Sequence, residues 1–299
     1  MVLDMVYFPV QPVTVLTVDS ASKFLARLLV GDPEKLSEGS LVRTAMLNAT
    51  GGMLGTLLLA RESATRFSLF FLEENADALQ AWARQVSQAF DAEISVRKLS
   101  ALPFVGDLAG EAPARGHFIV KTELTLLNRG WMSYAIGEKE PVETLISKLT
   151  RAGVNCADPG VMEALRIMAR EPACGLEYDE TKSPLETGLE DALDFSDASR
   201  IFIGRALTEA RRDAGGYERL NLVAFNVPFD PSALTEIPLI ISGEFGYQPT
   251  SLVRIPEMNL TAGLVRLPHE VEIGATLEAL VKTDPPCAAK SVLVVAPQT

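Results

Sequence analysis

Over the first 100 residues, short apolar runs alternate with segments in which apolar residues recur at helical spacing. This pattern predicts a sheet covered by helices. Apolar residues repeat every three or four positions after Ser20, which predicts a first helix, and a second helix is predicted from Asn75 to Phe90. The order of elements, β-α-β-β-β-α-β, mixes hairpins with helices and therefore favours an α+β fold over a doubly wound sheet. The predicted strands are Val13 to Val18, Leu41 to Leu47, Leu54 to Ala60, Phe67 to Leu72 and Ile94 to Leu99.

The middle of the chain continues this mixture of strands and helices. A strand is predicted from His117 to Leu127, where apolar and polar residues alternate. Helices are predicted from Pro141 to Ala152 and from Asp158 to Arg170, since each has an apolar stripe at helical spacing. The segment from Glu171 to Asp197 is acidic and contains Pro and Gly, so we expect a loop there.

The pattern changes after Arg219, where short apolar runs are separated by Pro, Gly and Asn turns. Such spacing predicts a small closed β-barrel. We place a domain boundary near Gly215-Gly216, so that residues 1–215 form an α+β region and residues 216–299 form the barrel. The strands predicted for the barrel are Leu220 to Asn226, Leu239 to Gly243, Ala262 to Leu267 and Ser291 to Val295.

Composition and charge restrict the class of protein. The chain has 299 residues, of which 47% are apolar and 22% charged, as is typical of a globular protein with a large core. Its net charge of −12 disfavours nucleic acid as a partner, because nucleic-acid affinity depends on clustered Lys and Arg. No apolar run reaches the roughly 20 residues that a membrane-spanning helix needs, and no basic signal-peptide segment begins the chain. We therefore expect a cytoplasmic protein with no membrane partner.

Common catalytic and metal-binding motifs are missing from the sequence. There is no P-loop, GxGxxG, HExxH, EF-hand loop or GxSxG. His117 and His269 lie far apart in sequence and the three cysteines show no CxxC spacing, so no metal site is expected. Nine carboxylates lie between Glu171 and Asp197, which favours a solvated loop. The alternative, that one or two of them point into a pocket and act as acid or base, stays open.

A set of short motifs is spread over nearly the whole chain. They are FLARLL at 24–29, MLNATGGML at 46–54, LRI at 165–167, DETKSPLETGL at 179–189, FIGRAL at 202–207 and SGEF at 242–245. In this order they resemble the motifs of the glycine-cleavage T-protein family, the tetrahydrofolate-dependent aminomethyltransferases.

The resemblance implies a T-protein-like fold and a folate cofactor. The implied fold has three α+β subdomains of ferredoxin-like type, arranged like a clover leaf around a folate channel, the last of them a β-barrel. The implied cofactor is tetrahydrofolate, and the implied substrate is a small methylated or aminomethyl compound. Carried over by motif position, the cofactor-binding residues are Asn48, Thr56, Arg166, Met168, Glu186 and Arg205. No catalytic residue is assigned in this way.

Two departures from the family's motifs bear on chemistry. Family members have two aspartates where this chain has Gly55-Thr56, and a glutamate that binds the pterin where this chain has Met168. A threonine hydroxyl has no accessible pKa for proton exchange at neutral pH, and a thioether is a weak acceptor. Each lost carboxylate contact is worth about 1.5 to 3 kcal/mol, so folate affinity should fall by roughly one to two orders of magnitude.

These observations leave two hypotheses of different classes. The first is a folate-dependent methyl or aminomethyl transferase, or a demethylase, with a remodelled site. The second is a non-catalytic T-protein-like subunit that works with an oxidoreductase or a lipoyl carrier, motivated by the combined losses at Gly55-Thr56 and Met168. The sequence favours folate binding narrowly. Met168 also lies on an apolar helical stripe with Leu165, so a role in the core is an alternative for it.

Overall fold

The computed structural model describes residues 5–72, 75–108 and 110–298, and its chain divides into two compact units. The N-terminal unit comprises the described residues of Val2–Pro159 together with Ala192–Arg205. The C-terminal unit comprises Gly160–Asp191 and the described residues of Ala206–Thr299. No helix among the described residues is long and apolar enough to cross a membrane.

The N-terminal unit is built on an antiparallel sheet of nine strands. Its main path has the order β3-β4-β5-β2-β6-β9-β8-β7, and β1 pairs with β6. The strands are β1 Val6–Tyr7, β2 Gln11–Asp19, β3 Leu41–Leu47, β4 Met53–Arg61, β5 Arg66–Phe71, β6 Ile94–Val105, β7 His117–Val120, β8 Leu124–Asn128 and β9 Ser133–Gly137.

Three helices cover this sheet and form two apolar cores. Helices α1 (Ser22–Leu28) and α2 (Ala76–Ser87) pack on β2 to β5, where fully buried side chains such as Phe24 and Phe71 meet. Helix α3 (Lys139–Arg151) packs on β6, β8 and β9. Each helix is amphipathic, so burial of one apolar face against the sheet drives this layering.

The C-terminal unit contains an antiparallel sheet of seven strands with the order β12-β11-β15-β16-β10-β14-β13. One face of the sheet encloses an apolar core that includes Val223, Ile240 and Val292. Helix α4 (Pro159–Met168) packs on the other face, and α5 (Arg205–Ala214) precedes the first strand. The strands are β10 Glu218–Phe225, β11 Leu239–Ser242, β12 Phe245–Tyr247, β13 Pro249–Ile255, β14 Leu260–Pro268, β15 Thr276–Leu280 and β16 Ser291–Val295.

The predicted α+β class is confirmed, with one local correction. The single strand predicted from His117 to Leu127 is wrong, because β7 and β8 form a hairpin in which Phe118 lies opposite Leu127. The polar residues between the two strands form its turn, which Lys121 N closes by donating to the carbonyl of Leu124 at 2.8 Å. Apolar and polar residues continue to alternate across this turn, so periodicity alone did not reveal the turn.

The seven-stranded sheet begins at Glu218, close to the predicted boundary at Gly215-Gly216. The segment Gly160–Asp191, which precedes that boundary in sequence, belongs to the same compact unit as this sheet. The division into domains 1–215 and 216–299 stays a prediction.

Candidate functional site

Asn48 organises the turn between β3 and β4. Its Oδ1 atom accepts hydrogen bonds from Thr50 N at 3.0 Å, from Thr50 Oγ1 at 2.7 Å and from Gly52 N at 2.9 Å. Gly51 has a φ of +83°, a conformation that glycine adopts without strain. The side-chain oxygen of Asn48 therefore satisfies the donors of its own turn.

Gly55 of strand β4 lies against Leu79 of helix α2. A Cβ atom on Gly55 would lie 2.6 Å from Leu79 Cδ1 and 3.0 Å from Asn75 Nδ2. Leu79 is 1% exposed and belongs to the core beneath α1 and α2, so it has little room to move. The first of the two positions where the family has aspartate is thus closed by packing.

Thr56 lies inside strand β4, opposite Ala45 of β3. It is 6% exposed and is flanked in sequence by the buried residues Gly55 and Leu57. A neutral hydroxyl at this depth supplies no charge and exchanges no proton at neutral pH.

Arg205 stabilises the segment Ala192–Arg205 by hydrogen bonds to the segment's own backbone carbonyls. Its guanidinium donates to the backbone carbonyls of Asp197 at 2.6 Å, Phe195 at 3.3 Å and Arg200. The residue is 7% exposed. The preceding Gly204 has a φ of +84°, and a Cβ on it would lie 2.8 Å from the Asn48 carbonyl oxygen. The loop that contains Gly204 therefore packs against the Asn48 turn.

Arg200, which the sequence analysis did not single out, attaches the same segment to the end of helix α1. It donates to the carbonyls of Leu29 at 2.6 Å, Val30 at 3.1 Å and Gly31 at 2.7 Å. These carbonyls follow the last turn of α1, where a cation is favourable. Burial lowers the pKa of Arg200 from its ordinary value, and the nearby carboxylate of Asp194 opposes that shift.

Arg166 belongs to a buried ion-pair network in the C-terminal unit. Its guanidinium donates to Glu163 at 2.7 and 2.8 Å, to Glu177 Oε2 at 2.9 Å and to Ser251 Oγ at 2.7 Å. Glu177 is fully buried. Burial by itself would lower the pKa of Arg166, but the hydrogen bonds and charges of Glu163 and Glu177 outweigh it and raise this pKa.

Met168 lies in an apolar cluster rather than at a polar surface. It is 7% exposed and packs among residues of β10, β13 and β14, including Leu222, Ile255 and Leu264. Its backbone carbonyl accepts a hydrogen bond from Gln298 N at 2.7 Å. The thioether therefore occupies a position in the core, as the alternative interpretation of its helical stripe predicts.

Glu186 caps a short 3₁₀ helix, Pro184–Glu186. Its Oε2 atom accepts from Ser183 N at 2.9 Å and from Ser183 Oγ at 3.0 Å, which completes a capping box. Arg211 of helix α5 donates to the same oxygen. The carboxylate is thus already bound by neighbours in its own unit.

The acidic run from Glu171 to Asp197 has two buried carboxylates, Glu171 and Glu177, and its other carboxylates are exposed or half-buried. Asp179, Glu180, Asp191 and Asp197 are exposed. The charge of Glu177 is balanced by Arg166, which lies within hydrogen-bond distance.

The structure divides the predicted residues between its two units. Asn48, Thr56 and Arg205 belong to the N-terminal unit, and Arg166, Met168 and Glu186 belong to the C-terminal unit. A carboxylate is a stronger acceptor than a neutral group for the N–H donors at the polar edge of a reduced pterin, and that is the acceptor the resemblance implies. The closed position at Gly55, the hydroxyl of Thr56 and the core thioether of Met168 do not fit that expectation.

Comparison with known proteins identifies the fold. No protein-family model matches the sequence. Among solved structures, the chain is similar to the glycine cleavage system aminomethyltransferase T from Bartonella henselae, with a TM-score of 0.79 and 17% sequence identity. The match covers 98% of this chain and 87% of that protein. This chain therefore has the fold of aminomethyltransferase T.

Proposed function

We propose that this chain is a non-catalytic subunit with the aminomethyltransferase T fold, which acts within a larger complex. One observation carries the proposal: two of the three positions where the resemblance implies a carboxylate, Gly55 and Met168, are closed by apolar packing. Leu79 fills the space beside Gly55, and Met168 is itself a core residue. Function inferred from fold alone is an analogy, so the site residues take precedence over the fold in this proposal.

The chemistry of one-carbon transfer supports this choice. Transfer to or from a reduced pterin requires a group that exchanges a proton or stabilises charge at the reacting nitrogen. Thr56 offers a hydroxyl with no accessible pKa, and Met168 offers a weak acceptor. Neither side chain replaces a carboxylate as acid, base or counter-charge.

The remaining candidate residues already have partners in their own units. Asn48 and Glu186 accept hydrogen bonds from neighbouring backbone groups, and Arg205 donates to three carbonyls. Binding a folate through these groups would break existing hydrogen bonds, and a buried polar group that loses its partner costs about 1 to 3 kcal/mol. The similarity in sequence at these positions is thus accounted for by the fold.

A partner is supported by apolar side chains at the surface of the C-terminal unit. Ile237, Phe245, Ile273 and Leu280 are 59%, 68%, 60% and 53% exposed. Large exposed apolar groups are enriched where proteins bind one another. The partner classes that the resemblance implies are an oxidoreductase and a lipoyl-carrying protein.

A second candidate function is a folate-dependent transferase or demethylase with a remodelled site. It is favoured by the Bartonella henselae protein, which shares the fold and is an aminomethyltransferase. Its cofactor would be tetrahydrofolate and its substrate a small methylated or aminomethyl compound. This function requires folate contacts other than the two carboxylates.

Calorimetric titration of the purified chain with tetrahydrofolate and with 5-formyltetrahydrofolate separates the two functions. We expect no saturable heat up to about millimolar ligand, because two charged contacts are lost. Saturable binding at micromolar concentration, or folate-dependent turnover of a methylated amine by the monomer, would overturn the non-catalytic proposal.

The subunit role is tested by the size of the native assembly. A tagged chain isolated from its own cells should elute with a second protein in fixed stoichiometry, measured by light scattering and mass spectrometry. A chain that elutes only as a monomer of about 32 kDa contradicts the proposal.

A further inference from the structure

A cleft of about 440 Å³ lies in the C-terminal unit beside the first half of strand β13. One wall is the segment Leu234–Pro238, and the other is Pro249–Leu252. The six residues that the resemblance assigned to the cofactor do not line it. Its volume is in the range of small-molecule sites.

The polar wall of this cleft carries two hydroxyl groups whose protons are already used. Ser251 Oγ donates to Glu177 Oε1 at 2.6 Å, and Thr250 Oγ1 donates to the same oxygen at 2.8 Å and to the carbonyl of Leu264 at 3.2 Å. Glu177 is fully buried and lies 2.9 Å from the guanidinium of Arg166, and hydrogen bonds to a charged group of this kind are strong. Each hydroxyl is therefore left with acceptor capacity only.

The acceptor capacity can be counted from the chemistry of a hydroxyl, which has two lone pairs. Ser251 Oγ uses one lone pair to accept from Arg166 Nη2 at 2.7 Å. The other lone pair of Ser251 and both lone pairs of Thr250 have no hydrogen-bond donor among the described residues. A ligand that complements this wall must donate hydrogen bonds.

The rest of the cleft is an apolar surface with an ion pair at its edge. Leu234, Ile237, Pro238 and Leu252 give it an apolar side that suits a short aliphatic chain. The carboxylate of Glu236 lies at the lining and pairs with Lys282 at 2.7 Å, where both side chains are 63% exposed. Because the hydroxyl protons of Thr250 and Ser251 already have acceptors, that wall offers an anion no hydroxyl donor.

We propose that this cleft binds small N–H donors, amines or primary amides, that carry a short aliphatic chain. The N–H groups donate to Thr250 Oγ1 and Ser251 Oγ, and the chain lies against Ile237 and Leu252. The buried pair of Glu177 and Arg166 fixes the direction of both hydroxyls before the ligand arrives, so little reorganisation is needed. The site does not depend on whether the chain binds folate.

The test titrates the full chain with three matched probes: n-butylammonium, n-butyramide and n-butyrate. Methyl resonances of Ile237 and Leu252 in NMR spectra report the location of binding. We expect saturable shifts with butylammonium or butyramide and none with butyrate. Binding of butylammonium alone identifies a charged amine site, and binding of butyramide as well identifies a site for neutral N–H donors.

Thr250→Val and Thr250→Ser form a matched pair, since only serine keeps the hydroxyl. We expect the valine variant to lose about tenfold in affinity and the serine variant to retain it. Equal melting temperatures of the two variants establish that folding is intact. The proposal is overturned if neither N–H donor gives saturable shifts at those methyl groups, if butyrate binds as tightly, or if Thr250→Val binds unchanged.

Discussion

Met168 and Gly55 share one physical property: both lie against apolar side chains. Met168 contributes an apolar side chain of its own, and Gly55 contributes none. Met168 meets β10, β13 and β14, and Gly55 leaves room for Leu79. A carboxylate in either place would be desolvated among these apolar neighbours. The replacement of acidic residues is therefore linked to local packing.

Met168→Glu should strongly destabilise the protein, because it buries an ionisable group in an apolar cluster. We expect a loss of about 3 to 5 kcal/mol in the free energy of unfolding, measured by urea denaturation. Met168→Leu is the control and should cost less than about 1.5 kcal/mol. A stable glutamate variant that gains folate binding would show instead that the position faces a ligand.

Gly55→Ala should also destabilise the protein, by about 1 to 3 kcal/mol, since its methyl group overlaps Leu79. The double mutant cycle with Leu79→Ala tests the cause. If contact between the two side chains is responsible, the double variant is more stable than the sum of the single variants predicts. Additive costs would mean that α2 and β4 are not in tight contact there.

At the level of elements, the segment Ala192–Arg205 is held on the N-terminal unit by backbone carbonyls rather than by a large apolar face. Arg200 binds carbonyls that follow α1, and Gly204 packs on the Asn48 turn. Arginine suits this role because its planar guanidinium donates several hydrogen bonds in fixed directions. The family-like FIGRAL motif thus has a structural explanation in this chain.

Gly204→Ala should cost more stability than Gly153→Ala, although both glycines have a positive φ, +84° and +82°. Alanine at Gly153 has nothing within 4 Å of its Cβ and should cost about 1 to 2 kcal/mol through backbone strain alone. At Gly204 the Cβ also meets backbone atoms of Asn48 and Gly51, at 2.8 and 2.9 Å. Urea denaturation of the two variants measures the difference, and equal costs would contradict the docking of this loop.

At the scale of the whole molecule, one carboxylate gives the protein a specific response to acid. Burial alone would raise the pKa of Asp194, but hydrogen bonds from Lys35 and Ser196 hold this pKa well below its usual range. A carboxyl whose pKa is lowered by folding stabilises the native state above its unfolded pKa, near 4, and this contribution is lost as pH falls toward the folded pKa.

Asp194→Asn should therefore reduce stability at pH 7 by about 1 kcal/mol and flatten the loss of stability between about pH 4 and pH 2. Thermal unfolding across that pH range measures the effect. Asp77→Asn is the control, because that side chain is 78% exposed and its pair with Lys98 is weak. Parallel pH profiles of the wild type and Asp194→Asn would rule out this role for Asp194.

Much of the fold follows from patterns that lie within single segments. Periodicity predicted β2, β16 and helix α2 to within a few residues, since alternation and helical spacing are local properties. The polar turn that separates β7 from β8 was missed, because the residues on both sides continue the same alternation. The motifs indicated a T-protein-like fold, and the structural similarity confirms that fold.

The sequence by itself determined the chemical identity of each position: a threonine and a methionine where the family's motifs have acids, and no histidine pair or glycine-rich phosphate loop. Tertiary structure alone decided that Leu79 occupies the space beside Gly55, that Met168 is in the core, and that Glu177 neutralises Arg166. These three features depend on contacts between residues that lie 11 to 96 positions apart in the sequence. Residue type sets which interactions are available to a group, and only the folded chain sets which of them it makes.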